Sequence, residues 1–247
     1  MIYFVGDTHG VSESREKLMY NDSLKHAKYE DFVIVCGDFG LPFLTKDLVE
    51  WQMRQEYVRG DTRYTRCIKD INRKEYTLLF IDGNHDNHAF WNSCETEMWH
   101  GGKVHRHPNI ERCYHLMRGE IYNIDGYKVF TFGGALSIDK EYRTPNIDWW
   151  EQEEASVAET KYALDNLKNN SYNVDIIVTH TIPQSLISKL DNVKSIVPDA
   201  TAKFLDFVYG AVKYKHWFAG HFHQDVDLVD EKISILYDKT KSINKKQ

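Results

Sequence analysis

Histidine, aspartate and asparagine recur in this chain in five short blocks, each at the end of a run of apolar residues. Gly6-Asp7-Thr8-His9-Gly10 follows Ile2 to Val5, Gly37-Asp38-Phe39-Gly40 follows Phe32 to Cys36, and Gly83-Asn84-His85-Asp86 follows Leu78 to Ile81. Thr179-His180 closes the run from Val174 to Val178, and Gly220-His221-Phe222-His223 follows Trp217 to Ala219. Imidazole nitrogens, carboxylates and a side-chain amide are donors for divalent metal ions. Asp7 and His9 are two residues apart, as are His221 and His223, so in an extended segment both members of a pair project to one side and can chelate. The glycines between them permit the tight turns that bring backbone close to a metal cluster.

Asp7, His9, Asp38, Asn84, His180, His221 and His223 are more donors than one ion of roughly four to six ligands needs. Two ions about 3.5–4 Å apart would share them, with one carboxylate bridging. Only Asp7 and Asp38 are anionic, so two cations, two carboxylates and a bridging hydroxide leave a net positive cluster, suited to a phosphate and to an in-line transition state. The mixed nitrogen and oxygen set favours manganese, iron, zinc, cobalt or nickel over calcium. Covalent phosphatase chemistry has no sequence support: there is no Cys-x5-Arg loop and no Asp-x-Asp pair after the first apolar run. The scattered cysteines 36, 67, 94 and 113 form no CxxC pair and read as reduced, partly buried thiols.

These blocks need strands to carry them. The five apolar runs suit strands buried on both faces. Ser14 to Lys28, Thr45 to Val58, Glu151 to Leu167 and Ala200 to Val212 mix charged and apolar residues at helical spacing. Strand then helix, repeated, predicts an α/β chain with a largely parallel sheet, whose strand ends are where ligands bind. Lys103 to Gly133, with an Asp125-Gly126 turn, and Asp225 to Asp238 read instead as short strands, so a second, partly antiparallel sheet is expected. The expected organisation is a single domain over residues 1–238, followed by a polar, solvated tail over 239–247. A further loop, Gly133 to Ser137 leading to Lys140 and Arg143, could set a cation over the site, where a guanidinium grips phosphate with two prongs.

Taken in order, Asp7-x-His9, Gly37-Asp38, Gly83-Asn84-His85-Asp86, His180 and Gly220-His221-x-His223 resemble the signature of the calcineurin-like metallophosphoesterases over nearly the whole chain. The resemblance implies two mixed β-sheets packed face to face and flanked by helices, a four-layer sandwich. It implies that Asp7, His9 and His223 hold one metal, that Asn84, His180 and His221 hold the other, and that Asp38 bridges them. It gives the attacking role to a hydroxide between the metals, and to His85 contact with phosphate or protonation of the leaving oxygen, with Asp86 orienting His85 or capping a turn. The protein Ser/Thr phosphatase branch continues its second block with Asp-Arg-Gly, whereas Phe39-Gly40-Leu41-Pro42 stands here, so that branch does not fit.

Composition narrows the partners. The 247 residues, 42% hydrophobic and 28% charged, are those of an ordinary globular chain. A formal charge of −6 does not advertise a nucleic-acid groove. No apolar run is long enough to cross a bilayer, and Met1 to Val5 lacks a basic leader, which predicts a cytoplasmic protein. The expected activity is metal-dependent hydrolysis of a phosphorylated small molecule, nucleotide or phosphodiester. A nuclease or nucleic-acid end-processing phosphatase is one alternative, and a non-catalytic scaffold on the same fold another.

Overall fold

The computed structural model describes residues 1–42, 63–191, 193 and 197–246. Its elements in chain order are β1 (Ile2–Val5), β2 (Phe32–Val35), α1 (Arg63–Asn72), β3 (Thr77–Phe80), α2 (His88–Ser93), β4 (Thr96–Trp99), β5 (Gly102–Arg106), β6 (Cys113–Leu116), β7 (Ile121–Ile124) and β8 (Tyr127–Phe132). There follow α3 (Val157–Asn169), β9 (Ile176–Thr179), α4 (Ala200–Ala211), β10 (His216–Ala219), β11 (Val226–Leu228), β12 (Ile233–Ile235) and β13 (Lys241–Ile243). Two mixed sheets form, ordered β13-β1-β2-β3-β6-β5-β4 and β11-β12-β10-β9-β8-β7.

The apolar runs have no alternation because both faces of their strands are covered. Ile2, Phe4, Ile34 and Leu79 of the first sheet meet Val129, Ile176, Val178 and Phe218 of the second in a central core, where the rings of Phe4 and Phe218 stack 3.8 Å apart. The intervening residues Tyr3, Val5, Val33 and Val35 face outward against Leu18, Cys67 and Ile71. On the other side, Phe130, Phe132 and Trp217 pack on Ala163 and Leu167 of α3 and on Leu205 and Val208 of α4. The result is the expected sandwich of two sheets between helices. Local signals start the outer helices: Ser156 and Glu159 form a reciprocal capping box on α3, and Asp199 caps α4.

Three expectations change. The metal-block strands do not share one sheet: β1, β2 and β3 run parallel in the first, with Tyr3 beside Val33 and Val33 beside Leu78, while β9 and β10 run parallel in the second. In place of a helix over 14–28 there is a single π-helical turn, Arg15–Met19, and a short 3-10 turn, Asp22–Leu24, started by the Asn21 carboxamide. The Lys17 ammonium reaches inward to the Asp7 carbonyl at 2.6 Å, which ties this turn to the β1 loop. The polar end of the chain is mostly exposed but includes a strand. β13 pairs antiparallel with β1, Ser242 opposite Tyr3, and covers the hydrogen-bonding edge that β1 would otherwise expose. The helix expected over Thr45 to Val58 lies outside the described residues.

Candidate metal centre

The loops after β1, β2 and β3 and those after β9 and β10 meet where the two sheets come together, and backbone hydrogen bonds stitch them. The amides of Thr8 and His9 donate to the Asp38 carbonyl at 3.1 and 2.8 Å, and Gly220 N–H donates to the His180 carbonyl at 2.9 Å. Side chains tighten the seam: His221 N–H meets the Asp7 carboxylate at 3.0 and 3.1 Å, and His85 N–H meets Asp38 Oδ1 at 2.6 Å. Two glycines are dictated by this crowding. A Cβ at Gly83 would run into the Asp38 carboxylate, and one at Gly220 into the Asp7 carboxylate.

All seven donors anticipated from the sequence converge. His9 Nε2 lies 3.4 Å from Asp38 Oδ2, His180 Nε2 lies 3.3 Å from Asp38 Oδ1, and His223 Nε2 lies 3.3 Å from Asp7 Oδ2. Asn84 Oδ1 faces both His180 Nε2 and His221 Nδ1, at 3.0 Å each. Ligand atoms of Asp7, His9 and His223 lie within 4.8 Å of one another, and so do those of Asp7, Asp38 and His180. The two groups share Asp7.

The electrostatics are those of a centre built for positive charge. Asp7 and Asp38 are 0% and 1% exposed, and among the described residues no lysine or arginine pairs with either carboxylate, only His9, His180 and His223. Burial opposes the charged form of Asp38, yet its histidine neighbours, His180 foremost, hold its carboxyl well below the usual range. Burial likewise opposes charge on His180, but the Asp38 carboxylate lifts it to about 10. Desolvation and the neighbouring His180 push half-buried His221 down to about 3. Two buried carboxylates thus favour a proton on an imidazole, and divalent cations would meet the same demand, with the rings as neutral donors.

Outer partners fix how the donors point, and the sequence did not announce them. His180 Nδ1 donates to the Cys36 carbonyl at 2.8 Å, which leaves Nε2 turned to the centre. His9 Nδ1 lies 3.1 Å from Glu13 Oε1, with the same consequence for its Nε2. The Asn84 amide is oriented by Ser137: Asn84 Nδ2 donates to Ser137 Oγ at 3.1 Å, and that hydroxyl donates to the buried Glu153 Oε2 at 2.7 Å. The His223 ring stacks on Tyr237 with centroids 4.5 Å apart. A serine followed sixteen residues later by a glutamate is no motif, so only the fold reveals the relay. The Gly133 to Ser137 turn thus contributes through Ser137 as well as leading to Arg143.

His85, Asp86 and Arg143 are placed unequally. His85 stands at the rim, its ring 5.7 Å from that of His9, with Nε2 3.4 Å from Arg143 Nη2. Burial and the neighbouring Arg143 lower its proton affinity, against the pull of Asp38. The Asp86 carboxylate points elsewhere: it accepts from the amides of Phe39, Gly40 and Gly83 at 3.2, 2.7 and 2.7 Å, joining the second loop to the third. Burial and Asp38 push it up to about 6. The structure therefore gives Asp86 the turn-capping place and not that of a His85 partner. Arg143 reaches the site, but its two prongs, Nε and Nη2, are held by Asp139 at 2.8 and 2.7 Å, which is not the open fork expected. Lys140 sits over the Trp149 ring at 5.7 Å.

Comparison with known proteins identifies the family. The chain belongs to the calcineurin-like phosphoesterases, whose family model matches residues 1–225. Its activity class is therefore metal-dependent phosphoester hydrolysis. Comparison with curated proteins finds no match. Among solved structures it is similar to a Staphylococcus aureus protein assigned as a 5'-nucleotidase, crystallised in complex with alpha-ketoglutarate. That match has 12% identity, a TM-score of 0.46, and covers 96% of this chain and 48% of that one. The chain thus spans about half the length of that relative. It is also similar to the calcineurin-like phosphoesterase YfkN from Bacillus subtilis, at 11% identity and a TM-score of 0.42, covering 95% of this chain and 80% of that one.

Proposed function

We propose that the chain hydrolyses phosphoesters at a centre of two divalent metal ions, one held by Asp7, His9 and His223, the other by Asn84, His180 and His221, with Asp38 shared. The observation that carries this reading is the meeting of two buried carboxylates with four imidazoles, from buried His180 to exposed His223, and one amide oxygen, with no lysine or arginine on either carboxylate among the described residues. Manganese, iron, zinc, cobalt and nickel all suit such donors. When bound, the ions supply Lewis-acid charge and acidify water.

The chain's own residues do the rest. His85 is held at the rim by its N–H on Asp38, which keeps its ring free to meet the phosphate or to protonate the leaving oxygen. Arg143 adds a positive charge beside that ring, and a phosphate competes with Asp139 for its Nη2. Asp86 keeps loops two and three in register. The substrate is a phosphorylated small molecule, nucleotide or phosphodiester.

A metal-supplemented screen with p-nitrophenyl phosphate, bis-p-nitrophenyl phosphate and nucleotides tests the reading. Turnover is expected with at least one of these metals and is abolished by a chelator. Undiminished turnover after complete metal removal would refute it.

A further inference from the structure

Lys17 is 8% exposed, a depth at which lysine is found only when its charge is partnered. Its ammonium has three partners. It donates to the Asp7 carbonyl at 2.6 Å, pairs with Glu13 Oε2 at 2.8 Å, and stands over the Tyr237 ring, 3.5 Å from the centroid. Each partner leads to a different donor of the ion assigned to Asp7, His9 and His223. Asp7 is itself one of the three, Glu13 Oε1 lies 3.1 Å from His9 Nδ1, and the Tyr237 ring stacks on that of His223, 4.5 Å away and 14° from parallel. Asn84 and His180, assigned to the other ion, are oriented instead by Ser137 and by the Cys36 carbonyl.

Local structure explains how one side chain reaches all three. His9, Glu13 and Lys17 are spaced four apart, which in a helical turn sets them on one side, and Lys17 N–H meets the Glu13 carbonyl at 3.0 Å. Tyr237 comes from beyond β12, held by its N–H on Asp225 Oδ1 at 2.9 Å. The His223 side chain is 49% exposed, so the stacked ring is a main restraint on its plane. We propose that Lys17 is a positioning residue for one ion only, raising the affinity of the Asp7-His9-His223 site by holding Glu13 and Tyr237 in place. The inference rests on the two-ion assignment above. The charge of Lys17 makes it testable: a cation acting by charge alone weakens metal binding, whereas one that holds the ligands in place strengthens it.

Calorimetric titration of the metal-free protein with Mn²⁺ tests this in two backgrounds. Asn84→Ala is expected to keep the Asp7-His9-His223 ion, and there Lys17→Met weakens binding roughly 10–100-fold. His9→Ala is expected to keep the other ion, and there Lys17→Met changes nothing, which also shows that the variant is folded. Glu13→Ala, at a half-buried side chain, gives the same selective loss without altering a buried position, so it decides the matter where Lys17→Met does not fold. Three results would overturn the proposal while two ions still bind the wild type: weakening of the other ion in the His9→Ala background, which marks a general structural role; no weakening by these substitutions in the Asn84→Ala background; or tighter binding in Lys17→Met, which marks charge repulsion. A wild type that binds fewer than two ions would overturn the assignment, and the proposal with it.

Discussion

Ser137→Ala removes one oxygen from a side chain that touches no metal, and the geometry says how far the damage reaches. The hydroxyl takes the Asn84 Nδ2 proton at 3.1 Å and gives its own to Glu153 Oε2 at 2.7 Å, with Ser137 3% and Glu153 1% exposed. Glu153 keeps a second donor, the Ser137 amide, at 2.7 Å, so the larger loss falls on Asn84. Its amide then lacks the partner that distinguishes oxygen from nitrogen, and the flipped form turns an NH2 toward His180 and His221. An outer-partner loss of this kind weakens metal binding roughly 10–100-fold, about 1.4–2.7 kcal/mol. The assay is calorimetric titration of the metal-free protein with Mn²⁺, in wild type, Ser137→Ala, Asn84→Ala and the double variant. If Ser137 acts through Asn84, its effect disappears in the Asn84→Ala background. Additive losses in the double variant would refute the relay. A wild type that binds no metal would refute the metal centre itself.

Other consequences are open to measurement. His85→Ala is expected to retain both metals by elemental analysis while kcat falls roughly 10²–10⁴-fold; an unchanged kcat would remove His85 from the reaction. Asp38→Asn is expected to lower metal occupancy and to abolish the rise in Tm that Mn²⁺ gives the wild type, so two ions at full occupancy in that variant would end the sharing role. Acid sensitivity is expected from two buried histidines that are not among the seven donors. Burial pushes His107 down to about 3 and His88 to about 4, below the usual 6.5, so the unfolded chain binds protons that the folded one refuses. The stability they support is present above about pH 6.5 and is lost as pH falls toward 3–4, by about 2 kcal/mol per histidine at pH 5. A Tm that does not fall between pH 7.5 and pH 5 would contradict this.

The residues of the candidate centre were legible because metal chemistry restricts residue type and because strand ends are marked by apolar runs that stop. His180 was readable although it is a lone histidine, since Val174 to Val178 placed it beyond a strand. The division of those strands between two sheets was not readable. Ile2 and Phe4 face the central core while Tyr3 and Val5 face the outer one, and with both faces apolar no period remains to say which neighbour a strand takes. The short strands of 103–133 and 225–238 announced a second sheet, and the resemblance that the two pack face to face, but neither said which metal-block strands belong to which sheet. Asp86 and Arg143 show the opposite limit: residue type says what a side chain is able to do, whereas its partner depends on which backbone amides or carboxylates the fold sets beside it. The last strand, β13, carries Lys241 and Ser242, poor strand formers, and its place follows from the open edge of β1.

Backbone conformation explains why these loops tolerate so few residue types. His9, Asp38, His221 and His223 have φ of 40°, 49°, 71° and 50°, in the left-handed region that histidine, aspartate and asparagine enter more readily than most side chains. Residues held there each cost roughly 1–3 kcal/mol. Glycine would relieve that strain but bring no donor, and a β-branched residue would bring neither. The four positions are therefore constrained twice, by ligand chemistry and by backbone. The opposing stabilisation is on the same few residues: the Asp38 carbonyl takes two amides, and the Asp7 carboxylate takes the His221 amide. Cations drawn to the two buried carboxylates would add to it, so ligand binding would offset backbone strain at the very residues that carry it.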